Sequence, residues 1–168
     1  MTAQPRQSES SNEFIAAMGM AATGVSVVTT DGPAGRFGLT VSAVSSVSAE
    51  PPMVLACVNR KSPAAAAIDA NGVFSINMLA ADDRGVAETF AGRPREGRPY
   101  DFGGHDWRAG DTGLPVLPDA AAVFECETAH AYDAGTHRIY IGRVVAARRG
   151  EAPPLVYYNR AFGRVAAI

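Results

Sequence analysis

Apolar positions fall into short runs along the chain, separated by polar or glycine-rich breaks. Phe14, Ala17, Met18 and Ala21 recur at helical spacing, with Ser10 and Glu13 at capping-box distance ahead of them. This predicts a short amphipathic helix after a polar, disordered tail over residues 1–12. Val25–Thr30 is β-branched and reads as a strand, followed by the turn Asp31–Gly35. Leu39, Val41 and Ala43 alternate with Thr40 and Ser42, and Val44–Ala49 continues the extended segment. Pro51-Pro52 precedes Met53–Val58, a continuous apolar run that predicts a buried strand. Ser62-Pro63 pairs an N-cap with a first-turn proline, opening a helix over Ala64–Asp69 that stops at Asn71-Gly72. Val73–Leu79 is the next strand, and Asp82–Phe90 the next helix, closed by Gly92 at C′. Gly92–Pro118 is polar and rich in glycine and proline, and reads as an irregular, mobile excursion. Strands resume at Ala121–Thr128, Arg138–Ala147 and Leu155–Tyr158.

The pattern gives about seven strands and three short helices, a mainly β chain without internal repeats. Strands do not alternate regularly with long helices, which argues against a doubly wound parallel sheet. A β-barrel with short helices outside it fits better.

The chain has 168 residues, enough for one domain with a sizeable core, placed at residues 13–168. Its net charge of −2 provides no field for nucleic acid or an anionic membrane surface, so neither is expected as a partner. No apolar run has transmembrane length, and the polar N-terminus lacks a signal-peptide core; the expected location is the cytoplasm. Cys57 and Cys126 read as small buried hydrophobes, since a reducing compartment disfavours a disulfide between them. His105, His130 and His137 have no metal-ligand spacing, and no CxxC occurs, so no metal site is expected.

Several nucleotide and hydrolase signatures are missing. Gly32, Gly35 and Gly38 form GxxGxxG, which is not the dinucleotide fingerprint. There is no GxxxxGK[ST] loop and no GxSxG elbow.

Four segments carry candidate chemistry, each with an ordinary structural alternative. Gly38–Val47 sets hydroxyls on alternate strand positions, suiting a polar ligand or a sheet face that meets water. Asn59-Arg60-Lys61-Ser62-Pro63 joins a strand to a helix. Free N–H groups at the helix start, the Ser62 hydroxyl and the Lys61 ammonium would suit a phosphate; an ordinary capped turn with solvated charges fits equally. Gly135-Thr136-His137-Arg138 puts a histidine and an arginine before a strand, where they would meet an anionic cofactor or simply form a surface loop. Tyr157-Tyr158-Asn159-Arg160 offers aromatic rings to a planar ligand or to edge packing.

In their order and spacing these segments resemble the short-chain flavin reductase family. The likeness rests on Thr23–Thr30, Thr40–Ser48, Pro51-Pro52, Val73–Leu79, Phe90-Ala91-Gly92, Gly135-Thr136-His137 and Leu155–Tyr158. Within the family it is similar to the reductases of 4-hydroxyphenylacetate 3-monooxygenase and of pyrimidine degradation. The sequence departs at Asn159, where many relatives carry a basic residue.

The resemblance implies an FMN-binding split barrel, a homodimer, and NAD(P)H-dependent reduction of FMN or FAD for a separate flavin-dependent monooxygenase. It also implies roles. Thr40, Val41, Ser42 and Ala43 would lie along the isoalloxazine and ribityl chain, and Ser45 and Ser46 at the ribityl or phosphate end. Cys57 and Val58 would line the ring, Lys61 and Ser62 hold the phosphate, and Phe90 and Ala91 close one side. His137, the candidate catalytic residue, would meet NADH or NADPH with Tyr158 and Arg160. The competing classes are a split-barrel oxidase of the pyridoxamine-phosphate type and a non-catalytic flavin- or haem-binding barrel.

Overall fold

The N-terminal helical pattern folds as α1 (Pro5–Met18), which begins upstream of the Ser10 capping box. The computed structural model describes residues 5–168, with side chains described from Ser11 onward. Of the tail expected to be disordered, residues 1–4 lie outside the described residues, and the remainder is helical backbone.

The chain continues through β1 (Thr23–Gly24), β2 (Ser26–Thr30), β3 (Phe37–Val41), β4 (Val44–Ala49) and β5 (Pro52–Asn59). Next come α2 (Pro63–Asn71), β6 (Val73–Met78) and α3 (Arg84–Phe90). It ends with β7 (Arg108–Ala109), β8 (Pro115–Val116), β9 (Ala122–Ala134), β10 (His137–Arg149), β11 (Leu155–Tyr158) and β12 (Ala161–Arg164).

Seven strands form one antiparallel sheet in the order β3-β2-β6-β9-β10-β5-β4. The sheet does not close into a barrel. β3 and β4 remain its edges, joined through Ser42 and Ala43, with the Cys57 N–H donating to the Ala43 carbonyl at 3.0 Å. A second sheet, β1-β11-β12, and the β7-β8 pair complete the fold.

Two apolar clusters hold the sheet. Val28, Val41, Ala56, Val58, Phe74, Ile76 and Tyr140 fill one side, plugged by Ala65 and Ile68 of α2. Val27, Leu79, Val86, Phe90, Val116 and Val123 pack on the other, under α3 and the Gly92–Pro118 excursion. β2 is buried at every residue because both its faces are covered. β5 is not, although its sequence is just as apolar. Val54, Ala56 and Val58 are buried, while Met53, Leu55 and Cys57 remain partly exposed on the outer face. The expectation of a buried strand therefore holds for one face only.

The Gly92–Pro118 excursion is more ordered than its composition suggests. Phe102 and Trp107 pack edge-on against Phe90, at centroid distances of 4.9 and 5.3 Å. Glu125 is buried and accepts hydrogen bonds from the Asp111 and Thr112 N–H groups at 2.9 and 2.8 Å, and from the Thr112 hydroxyl. These contacts clamp the β7–β8 hairpin to β9.

α2 is fixed at both ends. Ser62 caps it by accepting the Ala64 N–H at 3.2 Å, and Gly72 ends it at φ +70°. The buried Tyr140 hydroxyl donates to the Ala65 carbonyl at 2.8 Å, fastening the first turn to β10. That bond places the Lys61-Ser62 turn relative to the sheet.

Candidate active site

The edge strand β3 is bordered by two grooves. The first has a volume of about 500 Å³; Leu39, Pro63, Tyr100 and Phe102 form apolar walls, and Arg36, Asn59, Lys61 and Ser62 supply the polar end. The second, about 540 Å³, runs past Thr40, Val41, Ser42 and Ala91 to Arg84, Arg93, Tyr157, Arg160 and Phe162. Both volumes lie in the range of small-molecule sites.

The first groove has the chemistry of a flat ring with an anionic tail. Lys61 makes no ion pair among the described residues, whereas Arg36 is paired with Asp31 at 2.8 Å. The helix start contributes less than its sequence suggests. Pro63 has no N–H, the Ala64 N–H is taken by the Ser62 side chain, and the Ala65 N–H by the Ser62 carbonyl. The backbone donors expected at this helix start are therefore already used. The Lys61 ammonium and the remaining hydroxyl proton of Ser62 are what the turn has left for a phosphate.

A tight corner joins this turn to the β9–β10 hairpin. Asn59 and His137 are register partners, and the Arg60 N–H donates to the Thr136 carbonyl at 3.0 Å. Arg60 and Arg138 both pair with Asp133, at 3.2 and 2.6 Å, and Arg138 also reaches Asp69 at 3.1 Å. The Arg138 guanidinium holds the Asp133 carboxyl below the usual carboxylate range. Gly135 sits at φ +57° in the two-residue turn, a conformation that glycine adopts without strain.

Strand register divides the remaining predicted residues. Ser45 pairs with Leu55, Cys57 with Ile139, and Asn59 with His137, so these residues share the outer face of β4, β5 and β10. Ser46 pairs with Val54 and points to the opposite side. Ser45 and Ser46 lie beside Leu55 and Val54, about four residues or 13 Å down β5 from Asn59. Within one chain they do not join Lys61 at a phosphate end.

Other placements also differ from expectation. Val58 and Phe90 are fully buried, so neither offers surface to a ligand; they support the walls from behind. The Thr40 hydroxyl donates to the Ala87 carbonyl at 2.8 Å and ties β3 to α3. Tyr157, not Tyr158, lines the second groove, because neighbours on a strand point to opposite faces. The Tyr158 hydroxyl lies 3.9 Å from the Met20 sulfur. Ala91 and Arg160 do line that groove with Thr40, Val41 and Ser42, but His137 lines neither groove. Arg36, Tyr100, Phe102, Arg93 and Phe162 carry no signal in the sequence reading, and Tyr157 appears there only within the Tyr157–Arg160 segment, with the role given to Tyr158. The two-residue alternation of the C-terminal hairpin is the signal that selects Tyr157 and Phe162.

Both cysteines are free thiols. Burial pushes Cys57 above its ordinary value, and burial with the nearby Glu125 carboxylate pushes Cys126 up to about 12.

Comparison with known proteins places these features in a family. The flavin reductase like domain matches residues 18–166. The chain is 43% identical over 153 residues to an FMN reductase (NADH) RutF of Variovorax paradoxus, covering 90% of this chain and 83% of that protein. It is 36% identical over 165 residues to the 4-hydroxyphenylacetate 3-monooxygenase reductase component of Pseudomonas aeruginosa, covering 96% and 94%. The solved flavin reductase PheA2 superposes with a TM-score of 0.84 at 31% identity, covering 93% of this chain and 98% of that one. The chain belongs to the flavin reductase like family, and its open seven-stranded sheet is that family's split-barrel fold.

Proposed function

We propose that this protein is an NAD(P)H-dependent flavin reductase that delivers reduced FMN or FAD to a separate monooxygenase. The observation that carries the reading is the first groove. It is an apolar slot beside the edge strand β3, with a hydroxyl and an ammonium that makes no ion pair among the described residues at one end. A flavin held there would supply the redox chemistry, as acceptor of a hydride from a reduced nicotinamide. Lys61 and Ser62 hold the phosphate. Backbone groups on the free edge of β3, continuing into Ser42 and Ala43, meet the polar edge of the ring. The protein thus contributes placement and fixed dipoles and needs no nucleophile.

The test is purified protein with NADH or NADPH and FMN or FAD. Nicotinamide absorbance should fall at a rate that depends on added flavin, with hydrogen peroxide formed in air. A panel of phenols and pyrimidines should come through unchanged, because both grooves are bordered by solvent-exposed arginines or lysines and provide no dry cavity for oxygenation. Nicotinamide oxidation that is indifferent to flavin would refute the reading.

His137 serves the nicotinamide nucleotide in this proposal, from the outer sheet face it shares with Cys57 and Ile139. His137→Ala should raise the KM for NADH about two- to tenfold, the worth of one hydrogen bond, and leave FMN affinity unchanged. A variant with intact NADH kinetics and weakened FMN binding would reassign it to the phosphate corner.

The active species is a homodimer working in the cytoplasm, where reduced nicotinamide is available. Leu55, Cys57, Ile139 and Ile141 form an apolar, partly exposed face, and Tyr132 beside it is 54% exposed. On α1, Phe14, Ile15 and Met18 are also exposed. Faces of this kind are commonly buried by association. Light scattering at micromolar concentration should give twice the 17.5 kDa chain mass.

A further inference from the structure

The first groove has an aromatic wall residue that the rest of the protein does not use. Phe102 is fixed by Phe90 and Trp107, edge-on at 4.9 and 5.2 Å, and the Arg36 guanidinium lies 5.7 Å from its ring centre. That ring is committed to packing. Tyr100 lines the same groove and has no ring–ring contact and no side-chain hydrogen bond among the described residues. It is 50% exposed. An aromatic ring left half in water beside an apolar slot is available to a planar ligand.

The backbone supplies a second, independent observation, because it holds Tyr100 under strain. Its φ is +59°, in the left-handed region that residues with a Cβ avoid. The Tyr100 N–H donates to the Thr89 carbonyl at 3.0 Å, which fastens this conformation to the end of α3. The side chain lies on Gly92, where a Cβ would stand 2.5 Å from the Tyr100 hydroxyl oxygen and 3.0 Å from the ring carbon that carries it. Gly92 thus makes room for the tyrosine, and the tyrosine stands where glycine would be unstrained. Strain of this kind concentrates at ligand clamps.

We propose that Tyr100 clamps the flavin by stacking its phenol on the isoalloxazine, and that it grips the oxidised ring more tightly than the reduced one. The proposal rests on the flavin-reductase reading and adds the residue that governs release. An oxidised isoalloxazine is flat and electron-poor, which suits an electron-rich phenol. Reduction makes the ring electron-rich and lets it fold along its N5–N10 line, so face-to-face stacking weakens. Lys61 cannot make this distinction, because the phosphate keeps its charge in both states. Tyr100 therefore biases the groove towards taking in oxidised flavin and letting reduced flavin go, chiefly through the dissociation rate.

The experiment measures binding of FMN and riboflavin to the full chain. Oxidised flavin is followed by fluorescence titration, and dithionite-reduced flavin by anaerobic equilibrium dialysis. Tyr100→Asn deletes the ring with a residue that tolerates the left-handed backbone, so the melting temperature should stay close to that of the parent. It should weaken oxidised FMN and oxidised riboflavin by the same factor, about tenfold, the usual effect of one aromatic stack. The reduced flavins should lose less than about threefold. Tyr100→Phe should keep most of the affinity and brighten the bound oxidised flavin, because a phenol in contact quenches flavin emission by electron transfer and a phenyl ring does not. This emission test decides the matter even where Tyr100→Asn loses stability. Unchanged oxidised affinity in Tyr100→Asn, loss on FMN without loss on riboflavin, equal loss in both redox states, or unaltered emission in Tyr100→Phe overturns the proposal. A parent protein that binds neither flavin refutes instead the reductase reading beneath it, and the proposal falls with it.

Discussion

Replacing Lys61 by alanine is expected to weaken FMN binding about ten- to hundredfold and to leave riboflavin binding unchanged. The range is that of one charge-assisted hydrogen bond, about 1.5–3 kcal/mol, at 1.4 kcal/mol per decade. The effect concentrates on Lys61 because the usual helix-start contribution is missing: Pro63 has no donor, and Ser62 itself consumes the Ala64 N–H. Arg36, on the same groove wall, is paired with Asp31 and would have to leave that carboxylate to substitute. Ser62→Ala is a different experiment. It removes a phosphate donor but also the cap of α2, at a cost of about 1 kcal/mol of stability, and should lower the melting temperature as well as FMN affinity. Fluorescence titration with FMN and riboflavin in parallel reads the outcome. Equal loss for both ligands on Lys61→Ala would remove the phosphate from this turn.

Much of this arrangement was legible in the sequence where one local rule settles the structure. Ser62-Pro63 and Gly72 bracket α2 as capping predicts, and the β-branched run at Val25–Thr30 contains the fully buried strand β2, Ser26–Thr30. Legibility failed where the answer depends on distant partners. Met53–Val58 is apolar at every position, and nothing local says that one of its faces would be left without a cover within the chain. Tyr157 and Tyr158 are chemically alike, and only pairing with β1 and β12 decides which ring enters the groove. β9 runs on through Ala129–Ala134, a stretch without β-branched residues, because β10 pairs with it up to the Gly135 turn. The Gly92–Pro118 excursion looked mobile by composition. Its order comes from Phe90 and Glu125, residues that lie outside it in sequence. The family likeness correctly indicated the fold, but its residue roles treated Phe90 and Val58 as ligand surface, and burial places both behind it.

Phe90 tests that last distinction. Phe90→Ala is expected to destabilise the protein by about 3–5 kcal/mol, the usual cost of deleting a buried ring. Phe90 is fully buried and meets Phe102 and Trp107 edge-on, geometries worth about 0.5–1.5 kcal/mol each beyond area. It also presses on β3 so closely that a Cβ on Gly38 would lie 2.7 Å from its ring. Removing the ring therefore leaves a void between α3, the edge strand and the excursion. Phe102 also lines the first groove, so flavin affinity should fall as a consequence of lost packing. Phe90→Leu separates the two explanations, since it keeps most of the volume and removes the aromatic face. If Phe90 is a packing residue, leucine should restore most of the stability and the flavin affinity together. If it stacks on a ligand, leucine should restore stability alone. Urea denaturation of both variants, with FMN titrations beside it, gives the answer. A Phe90→Ala variant that loses less than about 1 kcal/mol yet binds flavin poorly would return the residue to the binding surface.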